Sequence, residues 1–148
     1  MKRTLKVMTF LLALMLIVVS ASACGDKKGP VDTEGKLKVA LVLPGKKDDV
    51  SFNQAMFQAL DSYAQANTDK IELKVVENMY EVADIEPSLI DFASQGYDVI
   101  FGHGFQFMEP IVKIAPQYPK VAFVLGTGYK TVSNSGIYDV HLEAGGYL

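Results

Sequence analysis

The chain has 148 residues, with 14 Lys or Arg against 17 Asp or Glu, a formal net charge of -3, and one cysteine. One cysteine excludes an internal disulfide framework, and the acidic balance argues against a nucleic-acid binder, which carries a basic patch. The length suits one domain with a core of its own.

The first segment is the most specific. Lys2, Arg3 and Lys6 precede an apolar run from Val7 to Val19, and small residues from Ser20 to Ala23 lead into Cys24. A basic start, a short apolar centre and a small-residue exit describe a secretory signal peptide over residues 1–23. The run is shorter than the ~20 residues that cross a bilayer. Ala21-Ser22-Ala23-Cys24 resembles a bacterial lipobox, which implies cleavage before Cys24 and attachment of lipid to its sulfur. Without the leader, 11 basic residues remain against 17 acidic ones. Residues 24–36 then read as a lipidated cysteine and a polar, glycine-containing tether.

Structure is expected from Leu37. Leu37–Leu43 is a nearly continuous apolar run stopped by Pro44-Gly45, as in a strand buried on both faces of a parallel sheet. Ser51-Phe52-Asn53-Gln54 reads as a capping box, with Ser51 as the capping side chain. Phe52, Met56, Ala59, Leu60 and Tyr63 recur at helical spacing, so Ser51–Asn67 is expected to be an amphipathic helix. Ile71–Glu77 is expected as a second strand. Pro87 fits the first turn of a second helix and Gly96 its end. Tyr97–Phe101 is a third strand, Phe107–Tyr118 a third helix whose last turn Pro116 distorts, and Val121–Leu125 a fourth strand. Gly136–Val140 is a fifth candidate strand, and His141–Leu148 reads as the opening of another helix.

Strand alternating with helix predicts an α/β fold: an open parallel sheet with helices on both faces and flavodoxin-like topology. Ligands of such sheets bind beyond the carboxyl ends of the strands. Those ends carry Pro44-Gly45, Gly102-His103-Gly104-Phe105 and Gly126-Thr127-Gly128, where glycine lets backbone approach a ligand closely.

Candidate ligand-binding residues follow from that placement: Phe52 to stack on a planar ligand, Asn53 to hydrogen-bond it, Asp49 to hold a hydroxyl, and Gly104 and Phe105 at the third strand's end. Each has a plainer alternative. Phe52 also fits the first core residue of a helix, Asn53 a local cap, and Asp48 and Asp49 solvated charges near a helix N-terminus. Of Phe105 and Phe107, one is expected in the core and Phe105 in the cleft. His103 reads as structural ahead of cleft-facing, and Thr127 and Tyr129 are weaker candidates. A metal at Asp48 and Asp49 belongs to an alternative flavodoxin-like or receiver-like reading. Enzyme chemistry finds no support. There is no Gly-x-Ser-x-Gly elbow, no phosphate loop and no metal-ligand spacing of His103 and His141, and no cofactor is expected.

Five segments taken in order, KVALVLPG, SFNQAMFQAL, QGYDVIFGHGFQF, YPKVAFVLGTG and EAGGYL, resemble the BMP ("basic membrane protein") family from Lys38 to Leu148. These lipoproteins are substrate-binding components of ABC importers, and several bind purine nucleosides. The resemblance implies the first lobe of a type I periplasmic-binding-protein fold over residues 37–148, with the second lobe missing. It implies a small-molecule solute, an ABC permease as partner, and a lipid-anchored place on the outer face of the cell membrane. Phe52 matches a family aromatic that packs on the ligand base. Two acidic positions of the nucleoside binders fall near Leu43 and Gly126, so acceptors for a ribose or base are absent there. A surface lipoprotein acting as an interaction module is the alternative. A single lobe is expected to bind its solute weakly.

Overall fold

The computed structural model describes residues 35–139. The signal peptide, Cys24, nearly all of the tether and the helix expected from His141 lie outside the described residues. Strands β1 (Leu37–Val42), β2 (Ile71–Val76), β3 (Val99–His103), β4 (Ala122–Gly126) and β5 (Ser135–Tyr138) form one sheet in the order β2-β1-β3-β4-β5. Every pairing is parallel. The order reverses between β1 and β3, which makes their carboxyl ends the topological switch point.

Three α-helices cross over between the strands: α1 (Phe52–Ala66), α2 (Val82–Ser94) and α3 (Met108–Ile114). Strand alternation gives the sheet two different faces. Ala40, Val42, Ile100, Phe123 and Leu125 point to the side covered by α2 and α3, where they bury Ile85, Leu89, Phe92, Phe107, Ile111 and Ile114. Val39, Val99, Phe101 and Leu73 point to the side of α1 and line, with Leu60 and Ala64, an apolar hollow of about 160 Å³. Asn53 is the one buried residue of α1. No helix among the described residues is long and apolar enough to cross a membrane.

Several local expectations need correction. Pro87 sits inside α2 rather than in its first turn; the helix starts earlier, at Val82, and loses one backbone bond where proline has no N–H. At the other end, Gly96 has φ +77°. Its N–H bonds the Ala93 carbonyl at 3.3 Å and the Tyr97 N–H bonds the Phe92 carbonyl at 3.2 Å, the Schellman arrangement that ends a helix on glycine. The rings of Phe92 and Tyr97 then meet edge to face, 4.8 Å between centroids, which is the apolar contact that accompanies the motif. Tyr97 therefore belongs to the helix exit, and β3 starts at Val99. The expected Phe107–Tyr118 helix is divided into a 3₁₀ turn at Phe105–Phe107, α3, and a second 3₁₀ turn at Ala115–Gln117, the last around Pro116 as anticipated.

Asn134 closes the far end of the sheet. Its side-chain amide donates to the carbonyls of Ala115 (2.9 Å), Tyr118 (3.0 Å) and Val121 (2.8 Å). One side chain thus ties the entry of β5 to the exit of α3 and the start of β4.

Candidate functional site

The carboxyl edge of the sheet gathers most of the residues that the sequence singles out. Its first feature is the entry to α1. Asp49, not Ser51, caps this helix. Oδ1 accepts the N–H groups of Ser51 (2.9 Å) and Gln54 (3.0 Å), and Oδ2 accepts the Asn53 N–H (3.2 Å) and side-chain amide (2.8 Å). Ser51 makes no side-chain cap bond. The expected capping box fails because Val50 turns through φ +58° and brings a carboxylate, a stronger acceptor than a hydroxyl, under the first turn. Partial desolvation raises the Asp49 carboxyl, and the bonds from Gln54, Ser51 and Asn53 together outweigh it and hold the group below its usual range. Both Asp49 oxygens are engaged in capping the helix. No group of three potential ligands for a metal occurs among the described residues.

Asn53 is buried, with 7% of its surface exposed. Its amide nitrogen donates to a carboxylate that can only accept, which settles which end is which. Oδ1 is then left buried with no hydrogen-bond partner. A buried carbonyl oxygen without a donor is costly and is a feature to be explained.

The third feature is a row across three strands. His103, Gly126 and Tyr138 lie in register on β3, β4 and β5. A Cβ on Gly126 would stand 2.5 Å from the Tyr138 hydroxyl oxygen and 2.8 Å from Cζ, so glycine here makes room for the Tyr138 ring. The hydroxyl reaches across to His103 Nδ1. On its other side, His103 Nε2 meets the Phe52 carbonyl oxygen at 3.0 Å. A carbonyl only accepts, so Nε2 carries the proton and Nδ1 accepts from Tyr138. Burial lowers the His103 imidazole below its usual range, against smaller opposing effects of the Phe52 bond and the Asp49 charge. Burial alone pushes the Tyr138 phenol far above its ordinary value. Both groups are therefore uncharged at neutral pH.

The Phe52 ring lies flat on the imidazole, 3.8 Å between centroids and 19° between planes, while 41% of the residue remains exposed. Phe105 is 53% exposed and tilts against the exposed Tyr129 ring at 6.0 Å. Phe107 is fully buried. Of the two, Phe107 is the one in the core and Phe105 is exposed.

The glycines at the strand ends have a different purpose from the one expected. A Cβ on Gly45 would stand 2.8 Å from the Asn53 amide nitrogen, one on Gly102 2.8 Å from the Phe107 ring, and one on Gly128 2.5 Å from a Leu125 methyl. The protein's own side chains fill these spaces. Gly104, with φ +131°, starts the turn that presents Phe105. Sequence reasoning missed Tyr138 altogether. Its partner is set by strand register, and the only local signal was a glycine at 126.

A switch-point edge carrying exposed aromatic rings can hold a flat molecule against one wall. Residues 36–148 match the model of Bmp, described as ABC transporter substrate-binding protein PnrA-like. The chain belongs to the Bmp family. A purine-binding protein of Brucella abortus (strain 2308) is 36% identical over 120 residues, 81% of this chain and 34% of that protein. A CD4+ T-cell-stimulating antigen of Listeria innocua is 32% identical and covers 95% of this chain and 45% of its own length. This Bmp-family chain therefore spans less than half the length of these curated relatives. An ABC transporter solute-binding protein of Conexibacter woesei superposes with a TM-score of 0.61 at 24% identity, over 70% of this chain and 35% of that one; at that identity the likeness concerns the fold.

Proposed function

We propose that the chain supplies the N-terminal lobe, residues 37–148, of a lipid-anchored solute-binding protein that serves an ABC importer on the outer face of the cell membrane. The solute is nucleoside-like, with a planar ring. One observation carries this reading: Phe52, at the switch-point edge, keeps 41% of its surface exposed while its ring is backed by the His103 imidazole. A planar ring stacks on the exposed side of Phe52. Phe105 and Tyr129 extend the apolar wall. Leu43 and Gly126 offer no carboxylate, so recognition rests on stacking. The relative named for purine binding makes purines the first solutes to try.

Only one wall of a two-lobed cleft is present in residues 37–148. Closure of a second lobe, the usual motion of such proteins, adds the remaining contacts and the partner surface for a permease. The reading expects weak, saturable binding of purine bases by this chain, followed through the amide signals of Asn53 and Gly104. Phe52→Ala removes it. Equal, unsaturable shifts for hypoxanthine and glucose would falsify the aromatic-wall reading. Anchoring is tested apart from binding: Cys24→Ser is expected to move the protein from the membrane fraction to the soluble one.

A further inference from the structure

We infer that His103 and Tyr138 are positioning residues, which lock the Phe52 ring in one orientation so that a single, fixed aromatic face is presented at the edge. That this face meets a ligand rests on the function proposed above; the locking itself does not.

Phe52 is the first residue of α1 and is 41% exposed. An aromatic side chain there would ordinarily sample several rotamers. Here it is held twice. The carbonyl of Phe52 accepts from His103 Nε2 at 3.0 Å, which holds the backbone. The ring lies on the imidazole at 3.8 Å and 19°, which holds the side chain and covers its inner face. The backbone bond needs the proton on Nε2, and the stack needs the imidazole plane fixed. Tyr138 holds that plane. Its ring is within 10° of the imidazole plane at a centroid separation of 6.0 Å. This is too far for face-to-face contact and is the separation of two rings joined edge to edge through O–H···N. The Phe52 carbonyl can only accept, so Nε2 carries the proton and Nδ1 accepts from the Tyr138 hydroxyl. Gly126, between the two in register, leaves the path open. The sequence of causes runs from a missing side chain on β4, through a hydroxyl on β5 and an imidazole plane on β3, to a ring on α1.

A fixed ring loses less freedom when a ligand stacks on it, so the ordering cost is met before binding. The arrangement favours planar heteroaromatic solutes, which stack parallel to the fixed face, over puckered rings.

The test uses the full 148-residue chain with Tyr138→Phe, His103→Gln and Phe52→Ala, and hypoxanthine as probe. Without ligand, nitrogen-15 imidazole spectra of the wild type should show His103 as the Nε2–H form alone, and the Phe52 ring protons should be displaced by the imidazole ring current. Loss of the His103 signal in His103→Gln and of the ring signals in Phe52→Ala makes the assignments. Tyr138→Phe should free the imidazole plane and move the Phe52 ring signals toward ordinary phenylalanine positions. Unchanged Phe52 ring signals in both Tyr138→Phe and His103→Gln overturn the inference, whether or not hypoxanthine binds. With hypoxanthine, Tyr138→Phe should weaken binding up to about tenfold, the scale of one side chain that must be ordered anew. If the ring signals respond but Phe52→Ala binds as tightly as wild type, the locking stands and the proposed function fails.

Discussion

Phe105 and Phe107 are two residues apart, yet one is 53% exposed at the edge of the sheet and the other is fully buried under α3. The contrast extends to the regions around them. On the α2–α3 side, Ile85, Leu89, Ile100, Ile111, Ile114, Phe123 and Leu125 interlock with Phe107 in a continuous apolar cluster. At the carboxyl edge, rings lie open, one buried amide oxygen lacks a donor, and polar groups bond one another across three strands. Among the described residues, the positive-φ residues other than glycine, Val50, Asn78 and Thr127, all follow the carboxyl ends of strands. One region is arranged for stability. The other keeps backbone strain, which persists only where surrounding structure imposes it.

The comparison is broken most directly by truncating each phenylalanine in turn. Phe107→Ala is expected to cost about 3–5 kcal/mol of unfolding free energy, the usual range for a buried aromatic ring. Phe105→Ala is expected to stay within about 0.5 kcal/mol, as surface substitutions do. Urea denaturation of the two variants measures both. A large loss from Phe105→Ala would mean that the edge contributes to the core after all.

Gly126→Ala comes next. The new methyl meets the Tyr138 hydroxyl oxygen at 2.5 Å and Cζ at 2.8 Å, so the Tyr138 ring must move. Overpacking of this kind costs about 1–3 kcal/mol. The same movement breaks the bond to His103, so the loss of stability should coincide with a change in the His103 imidazole signals. A stability loss with His103 unchanged would separate packing at Gly126 from the row that it bridges.

The two regions were not equally legible in the sequence. Alternating apolar runs and helical spacings indicated five strands and the helices between them, because core-facing periodicity is local and a parallel sheet buries its strands on both sides. Slips occurred where a local motif competed. Tyr97 continues an apolar run but serves the Schellman end of α2, and Ser51 has the spacing of a cap but Asp49 takes the amides. At the edge, Phe52, Asn53 and Phe105 could be placed near strand ends because the position of a strand end is readable. What each glycine accommodates was not. Asn53 beside Gly45, Phe107 over Gly102 and Tyr138 over Gly126 are pairings made by tertiary contact and strand register, and no spacing along the chain encodes them.

Val50→Gly sharpens the comparison from the side of strain. Val50 is 89% exposed at φ +58°, a conformation that a β-branched residue adopts at a cost of about 1–3 kcal/mol. Glycine removes that cost and adds about 0.4–1 kcal/mol of unfolded-chain entropy. The net expectation is a gain of about 0–2.5 kcal/mol in stability, measured by denaturation. A loss would show that the Val50 side chain contributes contacts that outweigh its backbone.

The smallest expected effect is a pH dependence located at the edge and absent from the core cluster. His103 has its imidazole lowered from 6.5, chiefly by burial, so between the folded value and 6.5 the unfolded chain binds more protons than the folded one. Stability must then rise with pH through that window. The contribution is complete above 6.5 and is lost as pH falls toward the folded value. The groups facing the imidazole limit its size: the Phe52 carbonyl bond and the Asp49 charge both favour the protonated ring, and the Tyr138 oxygen can accept as well as donate. The chain has a second histidine, His141, so the measurement is a difference. Wild type and His103→Gln are unfolded in urea at a series of pH values, and the slope just below 6.5 should be flatter in the variant. Equal slopes would mean that the His103 proton is no harder to add in the folded protein than in the unfolded chain, and the uncharged row from Tyr138 to Phe52 would lose its basis.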